Sequence, residues 1–294
     1  MKKVYIMAPT YNDLKSLNKL LQIINKNFRN LNIKTSILIV NDGSDEKFSL
    51  NIKKFKYLNN IHILNLERNV GSQKAIFTGL KFLNKKLKKE SPNIVFSVLD
   101  SDGEDNPNKI KDLINLAFEK NDTFIFASRL ERTENIFFKI INNLRLYITF
   151  IFTGHYINFG NFSAFSFKIL KKIISNDNLY FAFSSGVLKN YRKIFLFPVK
   201  KNKRFFGKSK VNLRFLVNHS INILSIFYLK VFFRSILIFI PLLIIFNNAI
   251  SIFIISLTFL ILNLTLFFYK KFGNPKINVL LNIRSLNSLK GRLI

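Results

Sequence analysis

The sequence predicts an α/β chain: a mostly parallel, Rossmann-like sheet followed by a C-terminal two-helix transmembrane hairpin. Three observations carry this. Short β-rich runs alternate with helix-period runs from Val4 to Ser128. Ser235 to Tyr269 is a run of 35 residues without a charge. All sixteen acids lie between Asp13 and Asp177, so a mixed-charge front is followed by a purely basic back.

The elements follow in order. Val4–Ala8 reads as a strand, since the apolar run after Met1-Lys2-Lys3 is too short for a secretory signal. Leu14–Phe28 places Leu17, Leu20, Leu21, Ile24 and Phe28 at helical spacing. Thr35–Val40 is a second strand ending in the turn Asn41-Asp42-Gly43-Ser44, and Ile61–Leu66 is a third. Ser72–Leu83 is helical, Ile94–Leu99 is a fourth strand, Lys109–Glu119 is helical, and Thr123–Ser128 is a fifth strand. Strands that alternate with helices imply βαβ units and a parallel sheet. Ligands of such sheets bind beyond the carboxyl ends of the strands.

The uncharged run is too long for one span. A single helix of that length reaches roughly 50 Å at 1.5 Å per residue, against a hydrocarbon core of about 30 Å. A hairpin breaking at Asn247-Asn248 fits, with spans at about 226–246 and 249–269. Pro241 is tolerable within a membrane helix, and Lys230 and Arg234 reach back toward the interface. Residues 213–230 look amphipathic and suited to the membrane surface. Cations flank both ends of the hairpin and none stands at its tip. The positive-inside rule then places the front domain, residues 1–212, and a basic tail, 272–294, in the cytoplasm of a cell with this hairpin in its inner membrane.

Composition narrows the function. Lys plus Arg is 46 and Asp plus Glu is 16, a net charge of +30. The hydrophobic share of 49% excludes a disordered basic tail. Zero cysteines exclude disulfides, thiolate zinc sites and a cysteine nucleophile. Nucleic-acid binding needs aromatics interleaved with base on one exposed face, and here the Phe residues gather in apolar runs. The bilayer is therefore the expected polyanionic partner. A homo-oligomer is left open.

Four motifs each follow a strand. Pro9-Thr10-Tyr11-Asn12-Asp13 comes after the first and Asn41-Asp42-Gly43-Ser44-Asp45 after the second. Asn69-Val70-Gly71 opens a helix whose first N–H groups are free to meet an anion. Asp100-Ser101-Asp102-Gly103-Glu104-Asp105 ends the fourth strand with carboxylates at i, i+2 and i+4. Clustered acids repel one another unless a cation sits among them, and hard divalent cations take oxygen ligands shared with substrate phosphates.

In this order and spacing the motifs resemble glycosyltransferase family 2, more narrowly its polyprenyl-phosphate glycosyltransferases. The likeness covers about residues 1–215 and implies a glycosyltransferase-A-type sheet. It implies that Pro9, Tyr11, Asp13, Asp42, Gly71, Ser101 and Arg129 line a nucleotide-sugar site. Asp100 and Asp102 would be the D-x-D pair meeting the diphosphate through Mg²⁺ or Mn²⁺, with Glu104 as a further metal ligand. Arg204-Phe205-Phe206-Gly207-Lys208-Ser209-Lys210 resembles the family's R-x-x-G-x-S-K segment, whose Arg204 and Lys210 would contact phosphate. Gly160-Asn161-Phe162-Ser163 departs from the family by carrying no charge. The expected reaction is inverting transfer of a sugar from a nucleotide-sugar to a polyprenyl-phosphate lipid. Two alternatives stand beside it: transfer to a hydroxyl of a lipid-linked cell-surface glycan, and a membrane-bound binder of nucleotide-sugars without turnover.

Overall fold

The computed structural model describes residues 1–29, 31–46, 49–87, 93–130, 136–207, 213–272 and 283–291. Eight strands form one sheet: β1 Lys2–Thr10, β2 Ile33–Asn41, β3 Asn60–Leu66, β4 Ile94–Val98, β5 Phe124–Arg129, β6 Phe159–Ser166, β7 Ile194–Val199 and β8 Ile283–Lys290. Their spatial order is β7-β5-β6-β4-β1-β2-β3-β8. β1 pairs parallel with β2 on one side and β4 on the other. The winding therefore reverses at β1, and the crevice of the sheet opens beyond the carboxyl ends of β1 and β4.

Alternation along the strands sets the two faces. Val4, Ile6 and Ala8 of β1 join Ile37 and Ile39 of β2 in a buried cluster with Leu17, Leu20 and Ile24 of α1 (Leu14–Asn27) and Leu113 and Ile114 of α3 (Ile110–Glu119). The opposite face carries Met7 and Val40 beneath α2 (Ser72–Lys86). Gly79 of α2 permits that approach, since a Cβ there would lie 2.4 Å from Met7 Sδ and 2.8 Å from Val40 Cγ2. At the β5–β6 end the phenylalanines stack: Phe124 and Phe165 have ring centroids 4.6 Å apart, and Phe126 and Phe159 4.5 Å.

β6 is antiparallel to both neighbours, β4 and β5. Its register sets Ser163 opposite Val98, so continuing the ladder brings Asn161 opposite Asp100. The short helices α5 (Phe167–Ile174), α6 (Asn178–Phe181) and α7 (Phe183–Asn190) separate β6 from β7.

One expectation is corrected here. The segment 272–294, expected to be a basic tail, supplies β8, which pairs antiparallel with β3. His62 Nδ1 meets Ser288 Oγ at 2.8 Å, Asn65 donates to Ser285 Oγ at 3.0 Å, and Lys290 donates to the Phe55 carbonyl at 2.6 Å. Without β8 the outer edge of β3 would present a row of unpaired N–H and C=O groups.

The chain divides into two compact units: Met1–Thr133, Phe159–Ser209 and Ile277–Ile294 form the sheet unit, and Glu134–Asn158 with Lys210–Lys276 form the second. The second is helical: α4 Ile136–Thr153, α8 Leu213–Ile226, α9 Tyr228–Ile245 and α10 Ala249–Phe272. α9 and α10 are the two helices, among the described residues, long and apolar enough to cross a membrane. Asn263 donates to Ser235 Oγ across this pair at 3.2 Å. Arg234 donates to the Ile151 carbonyl at 2.9 Å and Lys230 Nζ meets His155 Nε2 at 2.8 Å, so both close the C-terminal end of α4. Phe227 separates α8 from α9, which divides the stretch expected to be one amphipathic segment.

Deleting residues 277–294 removes the β8 ladder and bares β3. With six residue pairs in the ladder, about 1 kcal/mol per lost hydrogen bond and about 2–4 °C per kcal/mol, the thermal midpoint falls by about 12–24 °C. Differential scanning fluorimetry of the detergent-solubilised chain checks this, with aggregation on heating as the second sign.

Candidate functional site

The first three motifs are laced together before any ligand is considered. Asn12 takes a positive φ of 45°, donates its N–H to Ser44 Oγ at 2.9 Å, and accepts the Asp45 N–H at 3.0 Å. Asp42 is buried, with Oδ1 accepting the Val70 N–H at 2.8 Å and Oδ2 the Gly71 N–H at 2.9 Å. Burial pushes its carboxyl up, and those two N–H groups and Lys74 work the other way. Gly43, at φ 69°, lies so close to the next turn that a Cβ would stand 2.4 Å from the Arg68 carbonyl carbon. Asp42 thus clasps the turn that opens α2.

The acidic turn after β4 is held from the other side. Asp102 Oδ1 accepts the Glu104 N–H at 3.0 Å, and Asp105 Oδ2 accepts the Asp100 N–H at 3.4 Å. Asn202 N–H donates to the Glu104 carbonyl and Phe205 N–H to the Asp102 carbonyl, both at 2.9 Å. Phe205 lies over Gly103, where a Cβ would meet its ring at 2.4 Å. Lys19 of α1 sits 5.1 Å from the same ring centroid. Arg204 then bridges the two strand ends: Nη1 donates to Asp102 Oδ2 at 3.1 Å and Nη2 to Asp13 Oδ2 at 2.6 Å. Asp13 is also the N-cap of α1, its Oδ1 accepting the Ser16 N–H at 3.3 Å.

Desolvation and mutual repulsion govern the carboxylates. Asp100 is pushed up to about 7, by burial first and then by Asp105 and Asp102, against the Asn161 amide and Arg129. Asp102 is pushed up to about 6, by burial first, with the Glu104 N–H and Arg204 opposing. Burial likewise raises Asp105, with Arg129 the largest counterweight. A divalent cation among these acids would offset the repulsion and desolvation that raise them. Among the described residues no three His, Cys, Asp or Glu side chains form a ready metal cage. Two acids with hard oxygen donors suit an ion that takes its remaining ligands from a diphosphate and water.

The predicted residues divide into groups. Asp13, Asp102 and Arg204 meet directly, and Arg129 acts on Asp100 and Asp105. Arg204, expected to contact phosphate, has two carboxylates as partners. Glu104, expected to be a metal ligand, pairs with Lys201 at 2.7 Å. Asp42 and Gly71 share the adjoining turn. Pro9 is buried in β1 opposite Val40, Ser101 is buried, and Tyr11 is 36% exposed. Lys210 lies outside the described residues. Sequence reasoning marked the segment around Asn161 only as uncharged, and gave no role to Lys201 or Gln73. Asn161 donates to Asp100 Oδ1 at 3.1 Å. Its signal is the antiparallel register of β6, which no local pattern displays.

The family model for Glycosyl transferase family 2 matches residues 5–174. The chain belongs to glycosyl transferase family 2. Solved structures are similar to it at low identity. A mycobacterial protein superposes with a TM-score of 0.55 at 9% identity, over 78% of this chain and 74% of that one. Glucosyl-3-phosphoglycerate synthase from Mycobacterium tuberculosis, in complex with Mn²⁺, uridine-diphosphate and glucosyl-3-phosphoglycerate, gives 0.53 at 9% identity over 78% and 80%. TarS from S. aureus, in complex with UDP-GlcNAc, gives 0.47 at 18% identity over 78% and 66%. The mycobacterial protein and the synthase share the fold, and the family match carries the family.

Two predictions follow from the charges. Between about pH 4 and 7 the native acidic turn holds protons that the unfolded chain has released, so metal-free stability falls as pH rises through that window. Thermal unfolding at pH 5, 6, 7 and 8 is expected to show this decline, and saturating MnCl₂ to flatten it. Arg204→Ala leaves Asp13 and Asp102 facing each other without their cation. Those side chains are 13% and 19% exposed, and the expected loss is about 2–3 kcal/mol in urea unfolding.

Proposed function

We propose that this family 2 enzyme is an inverting glycosyltransferase that moves a sugar from a nucleotide-sugar to a polyprenyl phosphate at the cytoplasmic face of the cell inner membrane. The observation that carries the acceptor class is the neutral amide beside the acidic turn. Asn161 stands against Asp100, and no acid occurs in the sequence between Glu134 and Asp177. A sugar hydroxyl needs a base to remove its proton. A phosphate oxygen is ionised near neutral pH and needs none.

The proposed reaction balances. The acceptor phosphate oxygen bonds to the anomeric carbon as the bond from that carbon to the leaving diphosphate breaks on the opposite face. The electron pair stays with the diphosphate and the configuration inverts. Asp100 and Asp102 would hold Mg²⁺ or Mn²⁺, which when bound offsets the leaving group's charge. Pro9, Tyr11, Asp13 and Ser101 border the nucleotide end. Asp42 keeps the Val70–Gly71 turn open for it. Arg129 stands against the carboxylates on the donor side. Arg204 keeps the acidic turn folded against β1, and Lys210 meets the acceptor phosphate.

The membrane reading has its own support. α9 and α10 have the length and apolarity of spans, and Lys230, Arg234, Lys270 and Lys271 flank them with no cation at the tip. Two crossings would return the chain to the side it left, which accords with the pairing of β8 with β3.

A panel of radiolabelled nucleotide-sugars, with undecaprenyl phosphate in membranes holding the full chain, tests the proposal. The expected product is organic-extractable and labile to mild acid. Label on an acid-stable glycan would move the acceptor to a hydroxyl, and nucleotide binding without transfer would make the chain a binder. Asp102→Asn is expected to lower transfer by about 100-fold or more.

A further inference from the structure

A row of amides runs into Asp100 from three other elements. The Phe183 N–H, at the start of α7, donates to Gln73 Oε1 at 2.7 Å. Gln73 Nε2, in the first turn of α2, donates to Asn161 Oδ1 at 3.1 Å. Asn161 Nδ2, on β6, donates to Asp100 Oδ1 at 3.1 Å and Oδ2 at 3.4 Å. Each side-chain amide has a donor end and an acceptor end, and which way it points follows from its network.

This network has one fixed terminus. A backbone N–H can only donate, so Gln73 must present oxygen to Phe183 and nitrogen to Asn161. Asn161 must then present oxygen to Gln73 and nitrogen to Asp100. The direction set at the helix start is carried through two side chains and arrives as a donor aimed at a carboxylate. Gln73 also follows the Val70–Gly71 turn that Asp42 clasps, so the row joins the two acidic centres of the site.

We propose that Gln73 and Asn161 are positioning residues whose directional hydrogen bonds hold the Asp100 carboxylate in the orientation that receives a divalent cation. This rests on the reading of Asp100 and Asp102 as the cation-holding pair. Gln73 acts through Asn161, and Asn161 through Asp100. Groups that orient metal ligands in this way are typically worth about 10- to 100-fold in affinity.

Gln73→Glu tests direction at almost constant shape. The new carboxylate still accepts from Phe183 and cannot donate to Asn161. Asn161 then turns its NH₂ toward position 73 and its carbonyl toward Asp100, oxygen against oxygen. Mn²⁺ binding to the full chain in detergent, read by electron paramagnetic resonance of the free ion, is expected to weaken about tenfold or more. Gln73→Met, which has neither donor nor carbonyl, leaves Asn161 undirected and costs about threefold. In an Asn161→Ala background the link is gone, so Gln73→Glu adds less than twofold. The donor KM and kcat are read alongside, with the loss expected mainly in kcat at subsaturating Mn²⁺. Gln73→Glu binding Mn²⁺ within threefold of the parent, or no worse than Gln73→Met, overturns the inference. So does an undiminished effect in the Asn161→Ala background. Should Gln73→Glu not fold, Asn161→Ala alone decides: tenfold weaker Mn²⁺ binding supports the proposal and unchanged binding sinks it. A parent chain that binds no Mn²⁺ defeats the cation-site reading itself, and the inference with it.

Discussion

The site depends on one guanidinium. Arg204 sits between Asp13, at the end of β1, and Asp102, after β4. Those ends border the crevice where the winding of the sheet reverses, so two carboxylates of like charge come together there. Bringing them together is costly without a cation. A planar guanidinium can serve both at once and still donate from Nε to the Phe206 carbonyl, as it does at 2.9 Å. Because Arg204 belongs to a segment far along the chain, the same interaction folds residues 201–206 over the acidic turn. Phe205 covers Gly103, and Lys201 takes Glu104. The electrostatic clasp and the packing are therefore one device.

Much of this was legible in the sequence, for physical reasons. β1 through β4 are covered on both faces, so they read as nearly continuous apolar runs, and α1 and α3 show a clear helical period. The acidic turn stood out because acids are scarce in the chain. β6 escaped notice because Phe159–Ser166 mixes Gly, Asn and Ser with Phe. β8 escaped because Ile283, Leu286 and Leu289 are spaced by three, so no period of two marks a strand. It pairs through backbone and through side chains such as Ser285 and Ser288, with Leu289 alone of its three apolar residues packed against the buried cluster.

The same distinction applies to the site. Charged residues in short motifs announce themselves, and Asp100, Asp102, Asp13 and Arg204 do converge. Asn161 and Gln73 are neutral, and Lys201 is one cation among many. Their importance arises from register: the reversed β6 carries Asn161 to Asp100, and the first turn of α2 delivers Gln73 to Asn161. Arg204 shows the converse case. Its residue type suggested phosphate, and its surroundings give it two carboxylates to hold.

The return of β8 to the sheet has a consequence for biosynthesis. The ribosome makes β1 through β7 first, then the apolar hairpin, and then the strand that covers β3. During that interval β3 offers an open edge, and the enzyme unit stays unfinished until the hairpin is already made. Synthesis of the hairpin and completion of the sheet are thereby placed in a fixed order in time. A chain halted within the hairpin carries Asp13, Asp100, Asp102 and Arg204 and still lacks the strand that closes its fold.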